Sequence, residues 1–228
     1  MRINLPLQFR DAESQDVEHA VPLIYSAGPQ AIDYCFQCQG KSSDDFLRFA
    51  FTDGKGFLGF EKHTVATLDG KVVGIATFYN FSTYLKQTLE HLGQLWRFYP
   101  ALSFADLAIK GLHLKSIMPP PGQDMHYVAN FGVAEKYRGM GVGSRLLDHH
   151  LAKALALGRS RYALDVSVEN PFAQALYERY GFNVEAENTF SGPTGAVPNT
   201  RRMTMPLSSE PPAGSSSDVT SRQQSASI

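Results

Sequence analysis

Residues 126–147 join a strand-like run directly to a glycine-rich turn and a helix, and this junction constrains the fold more than any other segment. The run HYVANFGV has the Val, Tyr and Phe content of a strand, and in the following RGMGVGSRLL glycines precede apolar residues at helical spacing. Glycines let the backbone approach a ligand closely, the N–H groups of the turn point outward, and the helix dipole adds partial positive charge. The junction therefore predicts an anion site whose expected ligand is a phosphate or pyrophosphate.

The glycine spacing excludes two common phosphate-binding patterns. The pattern GxxxxGK[ST] needs a lysine after its last glycine, but Ser144 follows Gly143. The dinucleotide pattern GxGxxG would need a glycine in place of Ser144 or of Leu146. The spacing that remains is Arg138-x-x-Gly141-x-Gly143.

This spacing resembles the coenzyme A pyrophosphate loop of the GNAT superfamily of N-acetyltransferases, R/Q-x-x-G-x-G/A. The later segment LDVSVENPFAQALYERYGF is similar to the superfamily's second signature, a strand LxV followed by NxxAxxLYxxxGF. The positions that match it are Asn170, Ala173, Leu176, Tyr177, Gly181 and Phe182. The tripeptide FGV at 131–133 also resembles the L-A-V ending of the family's central strand, and FRDAESQD resembles its opening strand-to-helix segment. The resemblance is strong over 126–183 and extends, at the level of element order, over 8–207.

The order of strand-like and helical segments predicts an α/β domain, and Asp69-Gly70 between two runs rich in Val, Thr and Ile predicts a hairpin with a type I′ turn. The resemblance implies a GNAT-type fold, a mixed, mostly antiparallel sheet flanked by helices. It also implies an enzyme that transfers an acetyl group from acetyl-CoA, its cosubstrate, to a primary amine by direct attack, without a metal. A non-catalytic acyl-CoA-binding or sensing module of the same fold is the alternative. Both a small-molecule amine and a protein amine stay open as the acceptor.

The resemblance also assigns residues to the coenzyme. The pyrophosphate would be bound by backbone N–H groups across the glycine-rich loop and the start of the helix. These groups belong to Arg138, Gly139, Gly141, Gly143 and Ser144. Main-chain groups of Phe131 and Val133 would bind the pantetheine arm, with the Val133 N–H facing the thioester oxygen. Asn170 would cap its helix and contact the coenzyme.

Two residues are candidates for proton transfer. The family places its general acid at the tyrosine of the LY pair, here Tyr177, and a phenol with a pKa of about 10 is protonated at neutral pH. Some members carry a base five positions before the motif asparagine, where this chain has Asp165. Other members carry theirs on the central strand, at the positions of Tyr127 and Ala129. The alternatives are a Tyr177 that only packs in the core and an Asp165 that forms a salt bridge or lies at the surface.

Residues 81–125 form an insertion before the coenzyme-binding strand, where the family has a short link. Leu85, Leu89, Leu92 and Trp96 recur at helical spacing, Pro100 interrupts the pattern, and a second helix follows. We expect both helices to pack these apolar residues on the core. One hypothesis makes the pair a roof over the acceptor pocket, and a second makes the same apolar face a homodimer contact. The aromatic residues that the roof would contribute are Phe81, Tyr84, Trp96, Phe98, Tyr99 and Phe104.

Composition sets the remaining expectations. The catalytic domain is expected over 5–207, because 208–228 is rich in Ser, Pro, Gln and Gly and predicts a disordered tail. With 21 Lys and Arg against 22 Asp and Glu, the chain lacks the basic excess that nucleic-acid binding needs. No apolar run has the length of a membrane span, and the N-terminus has no secretory pattern, so no membrane contact and a cytoplasmic location are expected. Cys35-x-x-Cys38 lacks the partners of a zinc site and predicts two reduced, partly buried thiols.

Overall fold

A computed structural model of the chain describes residues 5–207, and the tail expected at 208–228 lies outside them. In the described part the strands are β1 (Gln8–Asp11), β2 (His63–Leu68), β3 (Lys71–Tyr79), β4 (Met125–Val133), β5 (Arg161–Ser167), β6 (Asn183–Asn188) and β7 (Thr200–Pro206). The α-helices are α1 (Val17–Ser26), α2 (Pro29–Phe36), α3 (Ser43–Asp53), α4 (Phe81–Phe98), α5 (Phe104–Ile117), α6 (Val142–Ala156) and α7 (Pro171–Tyr180). None of the helices within 5–207 is both long and apolar enough to cross a membrane.

The strands form one mixed sheet in the order β1-β2-β3-β4-β5-β7-β6. Only β4 and β5 run parallel, and the other neighbouring pairs among the described strands are antiparallel. The β2–β3 hairpin turns at Asp69 (φ 50°) and Gly70 (φ 78°), and two positive φ angles are the requirement of a type I′ turn. The predicted sheet and hairpin are therefore confirmed.

Helices α1 and α6 cover opposite faces of β4. A Cβ atom on Gly132 would lie 2.3 Å from the Leu23 carbonyl oxygen of α1, so the helix backbone passes directly over this glycine. The preceding residue, Phe131, points to the other face, where its ring lies 3.2 Å from the position of a Cβ on Gly143 of α6. β4 is thus enclosed between the two helices and forms the centre of the domain.

Helices α2 and α3 were not predicted. In α3 the Ser42 hydroxyl accepts a 3.1 Å hydrogen bond from the Asp45 amide, which caps the helix. Its apolar residues Phe46 and Phe51 are completely buried. Helix α2 begins with Pro29 at its first position and ends at the CxxC segment, whose cysteines are both free, buried thiols. Both thiols are thus buried, where the sequence predicts partly buried ones.

The insertion consists of two helices, α4 and α5, as the sequence predicts. However, α4 turns the face opposite to the predicted one toward the core. Leu85, Leu89 and Trp96, which were expected in the core, are 53%, 72% and 64% exposed. Gln87 and Gln94 take the buried positions instead. The prediction that the leucine face packs on the core is wrong.

The physical reason lies at the end of α3. The Gln94 side chain donates hydrogen bonds to the Ala50 carbonyl at 3.1 Å and to the Lys55 carbonyl at 2.8 Å. The last carbonyls of a helix have no partner within it, so a buried amide that reaches them removes an unfavourable free energy. The polar face of α4 therefore turns inward, and the apolar face is left outside.

Candidate active site

The sheet splits between β4 and β5. The two strands pair from Met125 and Arg161 up to Tyr127 and Ala163, and the pairing stops there. β4 nevertheless continues to Val133 alongside β3. The second half of β4 therefore presents an edge that β5 does not cover, which is the opening that the resemblance implies.

A bulge in β4 accompanies the split. Its register with β3 shifts between Ile75 and Thr77, and Asn130 there has a φ of 49°. The Asn130 side chain donates to the Phe57 carbonyl at 2.9 Å and lies 3.1 Å from Nε2 of His63. Burial lowers the pKa of His63 to about 4, so its neutral ring donates from Nδ1 to Gly59 and accepts from Asn130. The bulge is thus held by side chains from the neighbouring loop and strand.

The uncovered edge of β4 carries backbone groups that a ligand can reach. The Ala134 amide donates 2.9 Å to the Val73 carbonyl on the β3 side. Because successive amides of a strand point to opposite sides, the Val133 N–H is directed to the split. The Val133 carbonyl accepts a 3.0 Å hydrogen bond from Nε of Arg138, which ties the following loop to this edge.

The loop ends in a helix terminus without a side-chain cap. Gly139 (φ 75°) and Gly141 (φ 83°) have the left-handed backbone that favours glycine, and a Cβ on either would meet open space. Gly141 is the N-cap of α6 and offers no side chain. The N–H groups of Val142, Gly143 and Ser144 consequently have no partner within the helix and point toward the loop. Oriented amides at a helix N-terminus fit a pyrophosphate. The predicted coenzyme residues from Phe131 to Ser144 belong to the strand edge and loop that lead into this terminus, and Asn170 lies apart at the start of α7.

Helix α7 places Tyr177 beside this run. Asn170 caps the helix, because its Oδ1 accepts a 3.0 Å hydrogen bond from the Ala173 amide. The Tyr177 side chain is 7% exposed, and its ring packs edge-on against Phe131 at 5.9 Å and Phe182 at 5.8 Å. Its hydroxyl forms no hydrogen bond with another residue of the described chain. Burial raises the pKa of this phenol, so it stays protonated over the physiological range.

Asp165 lies on the opposite face of the sheet. Its neighbours Leu164 and Val166 pack in the same core as Tyr177, and side chains alternate along a strand. The Asp165 side chain is only 1% exposed, and the Tyr127 hydroxyl donates a 2.6 Å hydrogen bond to its Oδ2. Burial raises the pKa of this carboxyl, while hydrogen bonds from Arg202 and Tyr127 oppose the rise.

Arg202 completes this group, and sequence reasoning missed it. Its Nε donates to Oδ1 of Asp165 at 3.0 Å and its Nη2 to Oδ2 at 2.6 Å, across directly paired positions of β5 and β7. Nη2 also donates to the Pro119 carbonyl at the end of the insertion. A sequence signal for a buried Arg202 did exist. Arg202 precedes the buried Met203 in a strand that otherwise looks like core, and because side chains alternate along a strand, Arg202 faces the opposite side of the sheet. Asp165 therefore forms a buried salt bridge with Arg202 and does not lie at the surface.

Aromatic side chains line the same face. Tyr79 lies 5.0 Å from Tyr127 between ring centroids, and Phe57 lies 5.6 Å from Tyr79 and 5.4 Å from Tyr84. Of the aromatic residues expected in a roof, Tyr84 is the one that contacts this cluster. Trp96 is exposed.

Phe98 and Tyr99 pack elsewhere, against Phe46 of α3 at 5.3 and 5.4 Å. The insertion thus approaches the Asp165 face through Tyr84 and Pro119 near its two ends, and His91 of α4 also contacts Phe57 at 5.9 Å.

An open groove of about 440 Å³ lies beside α2. Residues from α2, from α5 and from the loop between β6 and β7 form its walls. They are Gln30, Asp33, Tyr34, Gln37, Lys110 and Ala196. Nε2 of Gln30 lies 3.3 Å from Oε2 of Glu169, which follows β5, so the groove begins near the N-terminus of α7.

The sheet split and the uncapped glycine-rich helix terminus are the two structural features that the resemblance to N-acetyltransferases implies. Over residues 31–182 the chain matches the sequence model of the acetyltransferase (GNAT) family. The chain belongs to this family and is an enzyme of acetyl transfer, a reaction in which the family uses acetyl-CoA.

Individual relatives agree with this assignment. A 5-NmdU N-acetyltransferase of Pseudomonas phage PaMx11 is 37% identical over 57 residues, which cover 25% of this chain and 39% of that protein. An N-acetyltransferase structure from Staphylococcus aureus Mu50 has a TM-score of 0.65 at 16% identity, with 87% of this chain and all of that chain covered. N-acetylglutamate synthase of Neisseria gonorrhoeae, solved with coenzyme A and N-acetyl-glutamate, has a TM-score of 0.51 at 16% identity, covering 90% of this chain and 36% of that one. At these identities the two structures establish the shared fold.

Proposed function

We propose that this protein is an acetyl-CoA-dependent N-acetyltransferase that transfers the acetyl group to a primary amine by direct attack. The observation that carries the proposal is the split of β4 from β5, with a buried phenol on one face and a buried carboxyl on the other. A donor that enters from the α6–α7 face and an amine that enters from the Asp165 face would meet in this opening. The amine belongs to a small molecule or to a protein.

The coenzyme would be bound by main-chain groups. The uncapped amides of Gly143 and Ser144, with the open loop at Gly139 and Gly141, suit the pyrophosphate without any lysine. Arg138 keeps this loop against Val133, and Asn170 fixes the start of α7 beside it.

The edge of β4 suits the pantetheine arm, because an extended amide chain can pair with uncovered strand groups at Phe131 and Val133. Bound acetyl-CoA supplies the acetyl group as a thioester. The Val133 N–H, directed to the split, is the donor suited to the thioester oxygen.

Tyr177 is proposed as the general acid. Its ring is buried, and its hydroxyl is protonated and forms no hydrogen bond within the described chain, so its proton is available to a leaving thiolate. The neighbouring rings of Phe131 and Phe182 keep the phenol at the α6–α7 side of the split.

Asp165 is proposed as the base, acting through Tyr127. Each carboxyl oxygen accepts two hydrogen bonds, Oδ1 from Arg202 and Asn188 and Oδ2 from Arg202 and Tyr127. The side chain is also only 1% exposed, so neither oxygen is open to a substrate amine. The Tyr127 hydroxyl can pass its proton to Oδ2 of Asp165 as its own oxygen accepts one from the amine. The raised pKa of the carboxyl favours this acceptance of a proton.

A panel of amines assayed by release of the coenzyme A thiol tests the proposal. The panel combines polyamines, amino acids, aminoglycosides and peptides with free N-termini or lysines. A thermal-shift comparison of acetyl-CoA with ATP and NAD serves as the binding control, because a ligand that binds only the native state raises the midpoint. Stabilisation by acetyl-CoA together with amine-dependent thiol release supports the proposal. Tight acetyl-CoA binding without release for any amine would instead identify an acyl-CoA-binding or sensing module.

A further inference from the structure

Helix α4 exposes a continuous apolar seam. Leu85, Leu89, Leu92 and Trp96 follow one another at intervals of four, three and four residues, and each is at least half exposed. This is the spacing at which one helix packs along another in a coiled coil. The seam therefore has the pattern of a helix–helix contact, although no described helix covers it.

Contacts on the opposite face of α4 fix the rotation of the helix about its axis and keep the seam outside. The opposite face holds Gln87 and Gln94, which are 4% and 0% exposed, and Gln94 is fixed by hydrogen bonds to the backbone of α3 and of the following loop. Arg97 adds a bidentate ion pair, in which Nη1 and Nη2 donate to Oδ1 and Oδ2 of Asp53 at 2.7 and 2.8 Å. A soluble helix normally turns its apolar face to the core, and here specific polar contacts keep it outside.

The borders of the seam suit a close and uncharged approach. Gly93 lies beside it in the middle of the helix, and a Cβ there would meet nothing within 4 Å. Glycine weakens a helix interior, and no contact within the described chain accounts for it at this position. Two basic residues border the seam, and each has an acidic partner: Lys86 lies 3.7 Å from Glu90, and Arg97 pairs with Asp53. Such a border neither repels a second identical seam nor attracts an anionic surface.

Further apolar side chains close to the seam in the chain are also exposed. Trp96 contacts Phe104 at the start of α5. Leu102, in the turn before that helix, is 91% exposed, and Ile109 and Leu112 of α5 are 52% and 67% exposed. Scattered single apolar residues are normal on the surface of a monomer, whereas a continuous seam such as that of α4 is a feature of interaction sites.

We propose that the seam of α4 is the interface of a symmetric homodimer, in which the α4 helices of two chains pack on each other. A two-fold interface uses the same patch on both chains, so it needs a surface that is complementary to itself. The neutral heptad-spaced seam has this property, whereas a membrane surface would favour a basic border.

The chain contains one tryptophan, Trp96, and this residue reports directly on the seam. Sedimentation velocity on the full chain from about 1 to 100 µM gives the mass, and acrylamide quenching of Trp96 over the same range gives its exposure. We expect the mass of two chains at the upper concentrations, with blue-shifted emission and quenching reduced at least about threefold relative to the dilute protein. A wild-type chain that stays monomeric, with Trp96 emission typical of solvent at every concentration, overturns the proposal.

The double variant Leu89→Glu, Leu92→Glu places charges in the seam and should raise the dimer dissociation constant by at least about 100-fold. The matched control is Phe172→Glu, which charges an 89% exposed aromatic residue on α7 and should leave the dimer intact. A dimer that survives the double variant lies on another surface and overturns the proposal. Binding of the monomeric wild type to vesicles with anionic lipid would do the same and assign the seam to membranes. The dilution series on the wild type decides even if the double variant does not fold.

Discussion

The Tyr127 hydroxyl donates a 2.6 Å hydrogen bond to Oδ2 of Asp165 at the point where β4 and β5 separate. Tyr127 belongs to the last pair of positions at which the two strands are joined, and Asp165 is the second residue beyond its partner Ala163. The bond therefore bridges the start of the split on the face opposite Tyr177. The proposed base, Asp165, and the proposed general acid, Tyr177, therefore lie on the two faces of one opening in the sheet.

The first prediction concerns Tyr127→Phe. The change removes a hydrogen bond that holds down the pKa of Asp165, so this pKa should rise further. A base works only when deprotonated, and the acid limb of the kcat/KM–pH profile should therefore move to higher pH. We also expect kcat to fall at least about tenfold because the proton path is broken. Steady-state kinetics with a saturating amine at a series of pH values measures both effects.

The Asp165→Asn variant is a poorer test, because it would leave Arg202 as a buried charge without a partner and cost about 3–5 kcal/mol of stability. The control for Tyr127→Phe is Tyr162→Phe, which removes a buried hydroxyl bonded to the Leu147 carbonyl on the other face. If Tyr127→Phe and Tyr162→Phe have the same pH profile as the wild type, Asp165 has only a structural role.

Tyr177→Phe is the second prediction. The ring keeps its contacts with Phe131 and Phe182, so acetyl-CoA affinity and the thermal midpoint should stay near the wild-type values. Turnover should fall about 100-fold or more, because the leaving thiolate loses its proton donor. Calorimetric titration with acetyl-CoA and thiol release with the best amine separate the two quantities.

Tyr180→Phe on the same helix provides the comparison. Its hydroxyl donates a 2.7 Å hydrogen bond to Asp148, so its loss affects stability and leaves the split untouched. Turnover that survives in Tyr177→Phe would exclude this residue as the general acid.

Gly141→Ala is the third prediction, and Gly158→Ala is its matched control. Both glycines have a positive φ, 83° and 67°, and in both places a Cβ would meet open space. Each variant should therefore lose about 1 kcal/mol of stability from backbone strain alone. Gly141 is the N-cap of α6 and Gly158 follows its last turn, so only Gly141→Ala should weaken acetyl-CoA binding, by about tenfold or more.

The two dissociation constants for acetyl-CoA, measured next to chemical denaturation curves, complete this test. Equal affinities in variants of equal stability would show that the loop at Gly141 does not bind the coenzyme.

The junction of β4 and α6 could be predicted because its information is local. A strand, glycines at fixed intervals and an apolar helix lie within one short segment, and the turn at Asp69-Gly70 is equally local. Arg202 could not be predicted as the partner of Asp165, because the pairing of β5 with β7 brings together positions that are distant in the chain. Only the register of the folded sheet determines which charge meets the carboxyl.

The orientation of α4 shows a different limit. The spacing of Leu89 and Leu92 correctly predicts a helix with an apolar face, but a period does not state on which side the rest of the domain lies. That choice depends on carbonyl groups at the end of α3, where Gln94 finds its partners. The sequence pattern of α4 does not indicate these carbonyl groups, because only the fold brings them next to Gln94.

The fourth prediction follows from buried histidines. Burial lowers the pKa of His63 and of His126 to about 4 and that of His150 to about 3, against about 6.5 in the unfolded chain. At a pH between the folded and the unfolded pKa of each histidine, the unfolded chain binds more protons than the folded one. Stability should therefore be constant above about pH 7, fall steadily as the pH drops from 6.5 to 4, and lose several kcal/mol over this window.

The variant His126→Phe isolates one contribution. Neither ring nitrogen of His126 has a hydrogen-bond partner among the described residues, and the ring already lies between Phe78 and Tyr162 at centroid distances of 5.5 Å. A phenylalanine keeps this packing and cannot be protonated, so the free energy of unfolding should decline less between pH 6.5 and 4. Urea denaturation at half-unit pH intervals measures the slopes, and an unchanged slope in His126→Phe would show that this histidine is not the neutral, buried group described above.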